Sequence, residues 1–337
     1  MKPWSKVFVA FLGLALTSTM ATPAVAETGN LRIAQQYGIG YLPFHVIKHR
    51  QLIEKYAKVA GIDDLKVTWV SLGGGSAMND ALLSDSVEIV SGGVAPFVTL
   101  WAKTRGSIDV KGIAALDALP IALITTNPAV KTLKDFSEKD RIGLPSVKVS
   151  IQAVTLQMAA EQVFGEGRHE SLDAFTVSLR HPDAYAAMAS GKSEVTAHFG
   201  GPPFQQQELL LPGAHKILDN YSVLGGPATF NLIWAKAAFR QANPKVYGAF
   251  LAALREAVAL IQADPKEAAR IYLAEDDSKL DEGLVLGILA DPQSRFTTQP
   301  LNVTKYSDFL FKTGAIKVKP ESWKDLFFDD IHAEGGS

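Results

Sequence analysis

Residues 88–97 read EIVSGGVAPF, and residues 195–204 read VTAHFGGPPF. Each is a short apolar run that meets Gly-Gly and then Pro-Phe. A short run rich in β-branched and aromatic residues reads as a strand. Glycine then lets the backbone turn sharply, and proline suits the first turn of a helix. The chain builds the same strand–corner–helix unit twice, about a hundred residues apart.

The surroundings of each corner repeat as well. Strand-like runs at 31–35, 65–72, 87–91 and 110–116 alternate with helical patterns from 43 to about 60, after Ser76, and over 95–104. Strands and helices alternating at short spacing favour a mostly parallel α/β sheet. The pattern restarts with RIGLPS (141–146) and a helix over 150–164 closed by Gly165. A strand at 174–180, a helix opened by His181-Pro182-Asp183 and the strand 195–199 follow. Two extended apolar runs, LPIALITT (119–126) and ATFNLIWA (228–235), stand between the halves. The remainder reads as helical, at 243–262, 264–275 and from 281 onward. The expected organisation is one lobe from 31–119 plus 235–337 and a second from 126–228. The runs 119–126 and 228–235 then form a double-crossing hinge.

In an open parallel sheet, ligands lie beyond the C-terminal strand ends, where helices begin. The corners YGIGYLP (37–43), LGGGSAM (72–78), SGGVAPF (91–97), LPSVKVS (144–150) and HFGGPPF (198–204) all fall there. Glycine admits close approach to the backbone, and a helix start offers unpaired N–H donors to an oxygen or an anion. Tyr37, Tyr41, Phe97, Trp101, Phe199 and Phe204 stand beside these corners as apolar walls, although Phe97 and Trp101, four apart on one helix, also suit a core. No arginine is apparent at a corner. His198, at a strand end beside Gly-Gly, is placed to donate to a ligand oxygen or to support one that does. A single corner of this kind is an ordinary tight turn; the recurrence of several in two halves points to a cleft.

Enzyme signatures are sparse. The stretch GGGSAM lacks the last glycine of a nucleophile elbow, and no phosphate-binding P-loop is present. His45 and His49 are four apart, but Val46 stands where a zinc protease carries glutamate, so the pair reads as surface histidines. The chain has no cysteine, which excludes a thiol nucleophile and cysteine-ligated zinc or iron–sulfur clusters. No metal or cofactor is expected.

Residues 1–26 have the three parts of a secretory signal peptide: Lys2 and Lys6, the apolar run 7–16, and Ala24-Val25-Ala26 before Glu27. That run is half the length of a membrane span. Removing it leaves 31 basic against 35 acidic residues, about four net negative charges, with no basic stripe. Nucleic acid and anionic membrane are therefore poor partners. No later stretch is expected to span a bilayer. With no cysteine at the cleavage site, the exported chain has no lipid anchor there, and a free periplasmic protein is expected.

The chain also resembles the periplasmic solute-binding proteins of ABC importers, in the nitrate/sulfonate/taurine group that includes pyrimidine-precursor binders. The resemblance runs through LRIAQQYGIGYLPFHVIKHRQLIEKYA (31–57), LLSDSVEIVSGGVAPF (82–97), TLKDFSEKDRIGLPS (132–146), AAMASGKSEVTAHFGGPPF (186–204) and NPKVYGAFLAALREAVALIQADPKEAARIYL (243–273). It implies a two-lobed α/β binding-protein fold of type II with a double hinge. It further implies a monomer that delivers a small solute to a permease driven by an ATPase. Position by position, it places ligand contacts at Tyr37, Gly38, Tyr41, Gly74, Gly75, Ser76, Gly92, Gly93 and Pro96 in the first lobe. In the second lobe it places them at Ser146, Ser150, His198, Phe199 and Gly201. The group commonly carries an acidic residue at the third strand's entry; Glu88 fills this position in the first lobe, but Thr196 stands in the second. An aromatic or pyrimidine solute is the alternative ligand class. A pyrimidine-forming enzyme of the same fold is disfavoured, because those relatives carry a cysteine-rich iron site. A sensor in place of a transporter is a further reading.

Overall fold

A computed structural model describes Met1, Trp4 and residues 27–276 and 278–337. The expected signal peptide therefore lies almost wholly outside the described residues.

The first half runs β1 (Asn30–Gln35), α1 (Leu42–His49), α2 (Leu52–Val59), β2 (Lys66–Ser71), α3 (Gly75–Leu83), β3 (Ile89–Gly93), α4 (Val94–Thr104) and β4 (Val110–Ala115). The short β5 (Asp117–Ala118) and β6 (Ala122–Thr125) lead into the second half. There the order is β7 (Arg141–Leu144), α5 (Ile151–Phe164), β8 (Thr176–Ser178), α6 (His181–Ala189), β9 (Val195–Gly200), α7 (Phe204–Glu208), β10 (His215–Asp219) and α8 (Asn220–Leu224). The chain returns through β11 (Asn231–Lys236), α9 (Ala237–Ala242), α10 (Pro244–Ala263), α11 (Pro265–Glu275) and α12 (Glu282–Ala290). It ends with β12 (Arg295–Phe296), α13 (Val303–Lys312) and α14 (Trp323–Leu326).

Two five-stranded sheets result, with the orders β2-β1-β3-β11-β4 and β10-β6-β9-β7-β8. Read from its other edge, the second sheet is β8-β7-β9-β6-β10, which repeats the first: second strand, first, third, a borrowed strand, fourth. The borrowed strands run antiparallel to their neighbours, β11 to β3 and β4, and β6 to β9 and β10. Strands β3 and β9 hold the same place in their sheets. The duplicated corner is thus one structural position used once in each lobe. Strands buried on both faces need no polar alternation, and all five residues of β3 are buried.

Strand β6 is hydrogen-bonded wholly into the second sheet and β11 wholly into the first. The expected crossings at 119–126 and 228–235 are therefore mostly strand; the links between sheets are the shorter segments 119–121 and 225–230. The helix expected from 43 to 60 is broken, because Gln51 adopts a left-handed φ of 49° between α1 and α2. Helix α10 corrects a further expectation: by length and composition alone its 20 residues would cross a bilayer. Its apolar face instead packs on α1 and α2, burying Val246, Phe250, Leu254 and Ile261. Helix α13 lies against α4 and reaches the second lobe through a 3.0 Å bond between the hydroxyls of Tyr306 and Thr155. Lys312 Nζ adds a 2.9 Å ion pair with Glu161 of α5.

Glu88 and Thr196 stand at the entries of β3 and β9, the ends remote from the corners. Glu88 accepts from the Arg32 backbone N–H at 2.7 Å, and the Thr196 hydroxyl donates to Asp140 at 2.9 Å. Both stitch strands together, so the Thr196 departure carries no information about the ligand.

Candidate functional site

The C-terminal ends of the two sheets face each other, and the corners meet. The backbone N–H of Ile39, after β1, donates to the carbonyl of Pro202, after β9, at 3.0 Å. Gly38 has φ +109°, and a Cβ there would stand 2.7 Å from that carbonyl, so the contact requires glycine. Across the cleft, Gly93 at the start of α4 lies against Ile151 at the start of α5, and Gly74 lies against Pro145 and Ser146.

Between these contacts is a cavity of about 10 Å³, room for a single water. The first lobe lines it with Gln36, Tyr37, Tyr41, Gly75, Gly93 and Pro96. The second contributes Ser150, Ile151, Gln152 and His181, and the returning chain adds Phe230 and Asn231. Outside lies an open groove of about 360 Å³ that includes Gly73, Gly74, Ser76, Ser146, Ser178 and Arg180.

Of the expected residues, Tyr37, Tyr41, Gly75, Gly93, Pro96 and Ser150 line the cavity, and Gly74, Ser76 and Ser146 line the groove. Ser150 also caps α5, accepting from Ala153 N–H at 3.2 Å. Gly92 sits one layer back, against Gln36 and Trp234, and Gly201 packs on Phe230 and Ile121 of the linking segments. Two expectations are corrected. Phe199 is fully buried in the core, because alternate strand residues face opposite sides and His198 takes the other side. His198 is itself fully buried and is shut off from the cavity by His181, whose Nδ1 lies 2.8 Å from His198 Nε2. Phe97 and Trp101 are core residues as well, and His45 is buried against Tyr272, unlike its exposed neighbour His49.

The glycine criterion missed His181, Gln152, Gln36 and Arg180. The turn from β8 into α6 is a corner like the others but contains no glycine. Arg180 there also overturns the reading that no arginine stands at a corner. Its guanidinium lies 3.4 Å from the Tyr37 hydroxyl across the cleft and is held by Asp183 at 2.6 Å. Ile151 and Phe230 were missed as well, and so was Asn231, which enters on the borrowed strand that no local motif marks. Its amide oxygen accepts from the Tyr41 hydroxyl at 3.0 Å, and its Nδ2 donates to Asp117 at 3.0 Å. Burial pushes the Asp117 carboxyl up to about 8, against the lowering effect of donors from Asn231 and Phe230. Burial, with Asp117 nearby, also raises the Tyr41 phenol well above its usual value.

The arrangement is a closed, neutral, hydrogen-bonding pocket between two lobes, and the same architecture occurs in solved structures. The alkanesulfonate-binding protein SsuA from Xanthomonas axonopodis pv. citri, bound to MOPS, superposes with a TM-score of 0.69 at 18% identity, over 93% of this chain and 100% of that one. A Candida albicans protein described as having the generic periplasmic binding protein structural fold gives 0.66 at 15% identity, over 91% and 95%. The fold is that of the periplasmic binding proteins. The nitrate-binding protein NrtA from Synechocystis PCC 6803 shares it, with a TM-score of 0.67 at 13% identity over 92% of this chain and 86% of that one. No protein-family model and no curated relative matches the sequence. Within the periplasmic-binding-protein fold, the cavity described above occupies the interlobe cleft.

Proposed function

We propose that this chain is the solute-binding component of an ABC importer: an exported, periplasmic monomer that closes on one small solute and presents it to a membrane permease and its ATPase. One observation carries the reading. Both lobes send strand-end corners into one enclosed cavity, and among the described residues the chain passes between the lobes through short links beside it. Such a cavity holds a solute by surrounding it, so affinity depends on closure and neither lobe alone suffices.

The solute class is a small organic molecule or oxyanion of the sulfonate, taurine or nitrate kind. Neutral donors and one nearby guanidinium suit oxygen acceptors, and alkanesulfonate and nitrate binders share the fold. The enclosed space holds little more than a water, so any of these solutes keeps the lobes further apart than they stand here. The chain binds without turnover.

A thermal-shift screen of the purified protein against taurine, alkanesulfonates, nitrate, aromatic carboxylates and pyrimidines tests this. A true solute at a hundredfold its Kd stabilises the folded state by about 2.7 kcal/mol. An aromatic hit would favour the rings of Tyr37, Tyr41 and Phe230 as its walls. Release of a converted product would overturn the binding-only reading.

A further inference from the structure

The ring of His181 is the cavity end of a buried hydrogen-bonded chain. Gln152 Nε2 lies 3.3 Å from His181 Nε2, His181 Nδ1 lies 2.8 Å from His198 Nε2, and His198 Nδ1 lies 2.5 Å from Glu208 Oε1. All four side chains are buried, His198 and Glu208 completely. They come from α5, α6, β9 and α7, so the chain exists only in the assembled lobe. Phe204 stacks on His181 at 5.7 Å and fixes the plane of the ring. Where two imidazole nitrogens face each other, one donates and the other accepts. Every proton along the chain is therefore tied to its neighbour.

We propose that the Gln152–His181–His198–Glu208 chain determines, by holding or releasing one proton, whether His181 Nε2 offers the cavity a lone pair or an N–H. The functional consequence rests on the cleft being the solute site. In the proton-poor state, Glu208 accepts from His198 Nδ1–H, and His198 Nε2 accepts from His181 Nδ1–H. The lone pair of His181 Nε2 then accepts from the Gln152 amide N–H at the cavity wall. A proton arriving at that lone pair sends the proton on His181 Nδ1 across to His198 Nε2. His198 then carries both of its protons beside the Glu208 carboxylate, and His181 is neutral with its N–H on Nε2. The Gln152 donor must turn away from it, leaving that N–H to the cavity or to the Gln152 amide oxygen. One proton is gained, and no bond to carbon changes.

His181 suits this role because burial and the adjacent His198 hold its pKa well below the usual histidine value. The added charge settles on His198, against the carboxylate, and the ring facing the cavity stays neutral. The neighbours leave this balance to the chain itself. Ile124 and Gly143, paired with His198 on β6 and β7, do not titrate. Tyr37 and Tyr41 stand across the cavity, Asp117 lies behind Asn231, and Arg180 and Asp183 at the outer end of α6 pair with each other. An oxyanion needs the donor state and binds with uptake of one proton, more tightly as pH falls; a solute that presents an N–H needs the acceptor state.

Nitrogen NMR of the full-length mature protein, labelled with ¹⁵N in histidine and titrated from pH 5 to 8.5, tests this without any solute, since protonated and lone-pair ring nitrogens resonate far apart. The expected result is a concerted change with one midpoint: His198 gains a second N–H as the His181 proton moves from Nδ1 to Nε2. Glu208→Gln is expected to abolish that change while leaving the ring signals of the exposed His49 the same as in the parent. Invariant ring signals in the parent would overturn the proposal, as would an unaltered titration in a folded E208Q. Should that variant not fold, the parent titration decides alone. A screen that finds no solute would count against the transport reading and leave the NMR result standing.

Discussion

Ile151, the first residue of α5, seats its side chain against the backbone of Gly93, the last residue before α4, so that a Cβ at position 93 would lie 2.5 Å from Ile151 Cγ2. One residue belongs to each lobe, and the two helix starts come this close only because position 93 has no side chain.

Gly93→Leu is therefore expected to hold the lobes apart while leaving each sheet intact. Overpacking of this kind costs about 1–3 kcal/mol, which weakens closure-dependent binding by about 5- to 150-fold. Calorimetric titration with the solute that stabilises the parent measures this, and solution scattering of the bound state reports the opening. Parent-like affinity with a parent-like radius of gyration would make the corner a mere turn.

The bond between Tyr306 and Thr155 joins α13 of the first lobe to α5 of the second. Thr155 Oγ1 also bonds the Ile151 carbonyl at 2.7 Å, so it keeps a partner when the phenol is removed. Tyr306→Phe is expected to cost about 1 kcal/mol, the net worth of one hydrogen bond. In a double-mutant cycle by urea unfolding, Thr155→Val should cost less in the Y306F background than in the parent. Strict additivity would show that α13 does not brace the lobes through this pair.

Much of the architecture was legible locally. Alternating strand and helix patterns located β1 to β4 and β7 to β9 but not the edge strand β10, and Gly-Gly before Pro-Phe marked β3 and β9 as equivalent. The borrowed strands were not legible as strands, because β6 and β11 pair with partners from the opposite half and nothing local distinguishes a link from a strand inserted elsewhere. At the site, glycine marked the corners where backbones touch, which is why Gly75 and Gly93 were found. Glycine does not mark where side chains converge, and His181, Gln152 and Asn231 were missed for that reason. Phe199 failed on strand alternation: two adjacent residues of one strand do not both face a cleft.

His45 sets one edge of the pH–stability profile. Burial lowers its pKa to about 4, outweighing the raising effect of Glu275. Between about 4 and the unfolded value near 6.5, the unfolded chain holds a proton that the folded chain does not. Stability is therefore present above 6.5 and is lost as pH falls, by up to about 1.4 kcal/mol per pH unit for this one group. His181, also depressed, acts in the same direction. His45→Phe, which keeps a ring against Tyr272, is expected to lose less stability than the parent between pH 6.5 and 5 in urea titrations. Parallel profiles would show that His45 ionises in the native state.

Asp117 acts with the opposite sign and over a different range. Its folded pKa, raised by burial to about 8, lies above the unfolded value of 3.8. Its contribution is complete below the unfolded value and declines as pH rises, until the folded carboxyl itself ionises near 8. Below about pH 6.5 the depressed histidines oppose this trend; between 6.5 and 8 His45 is neutral in both states, and the difference between the parent and Asp117→Asn separates the Asp117 slope from any proton uptake by the His181–His198–Glu208 chain. The parent is expected to lose up to about 1.4 kcal/mol per pH unit across that window, and Asp117→Asn to flatten the slope whatever its effect on absolute stability. The carboxyl bonds Asn231, and Asn231 bonds Tyr41 at the cavity wall, so ionisation of Asp117 also places a charge two hydrogen bonds from the solute. Anion affinity should therefore fall between pH 6.5 and 8 more steeply in the parent than in D117N. Equal slopes in both stability and affinity would mean that Asp117 is already ionised at neutral pH, held by the donors of Asn231 and Phe230.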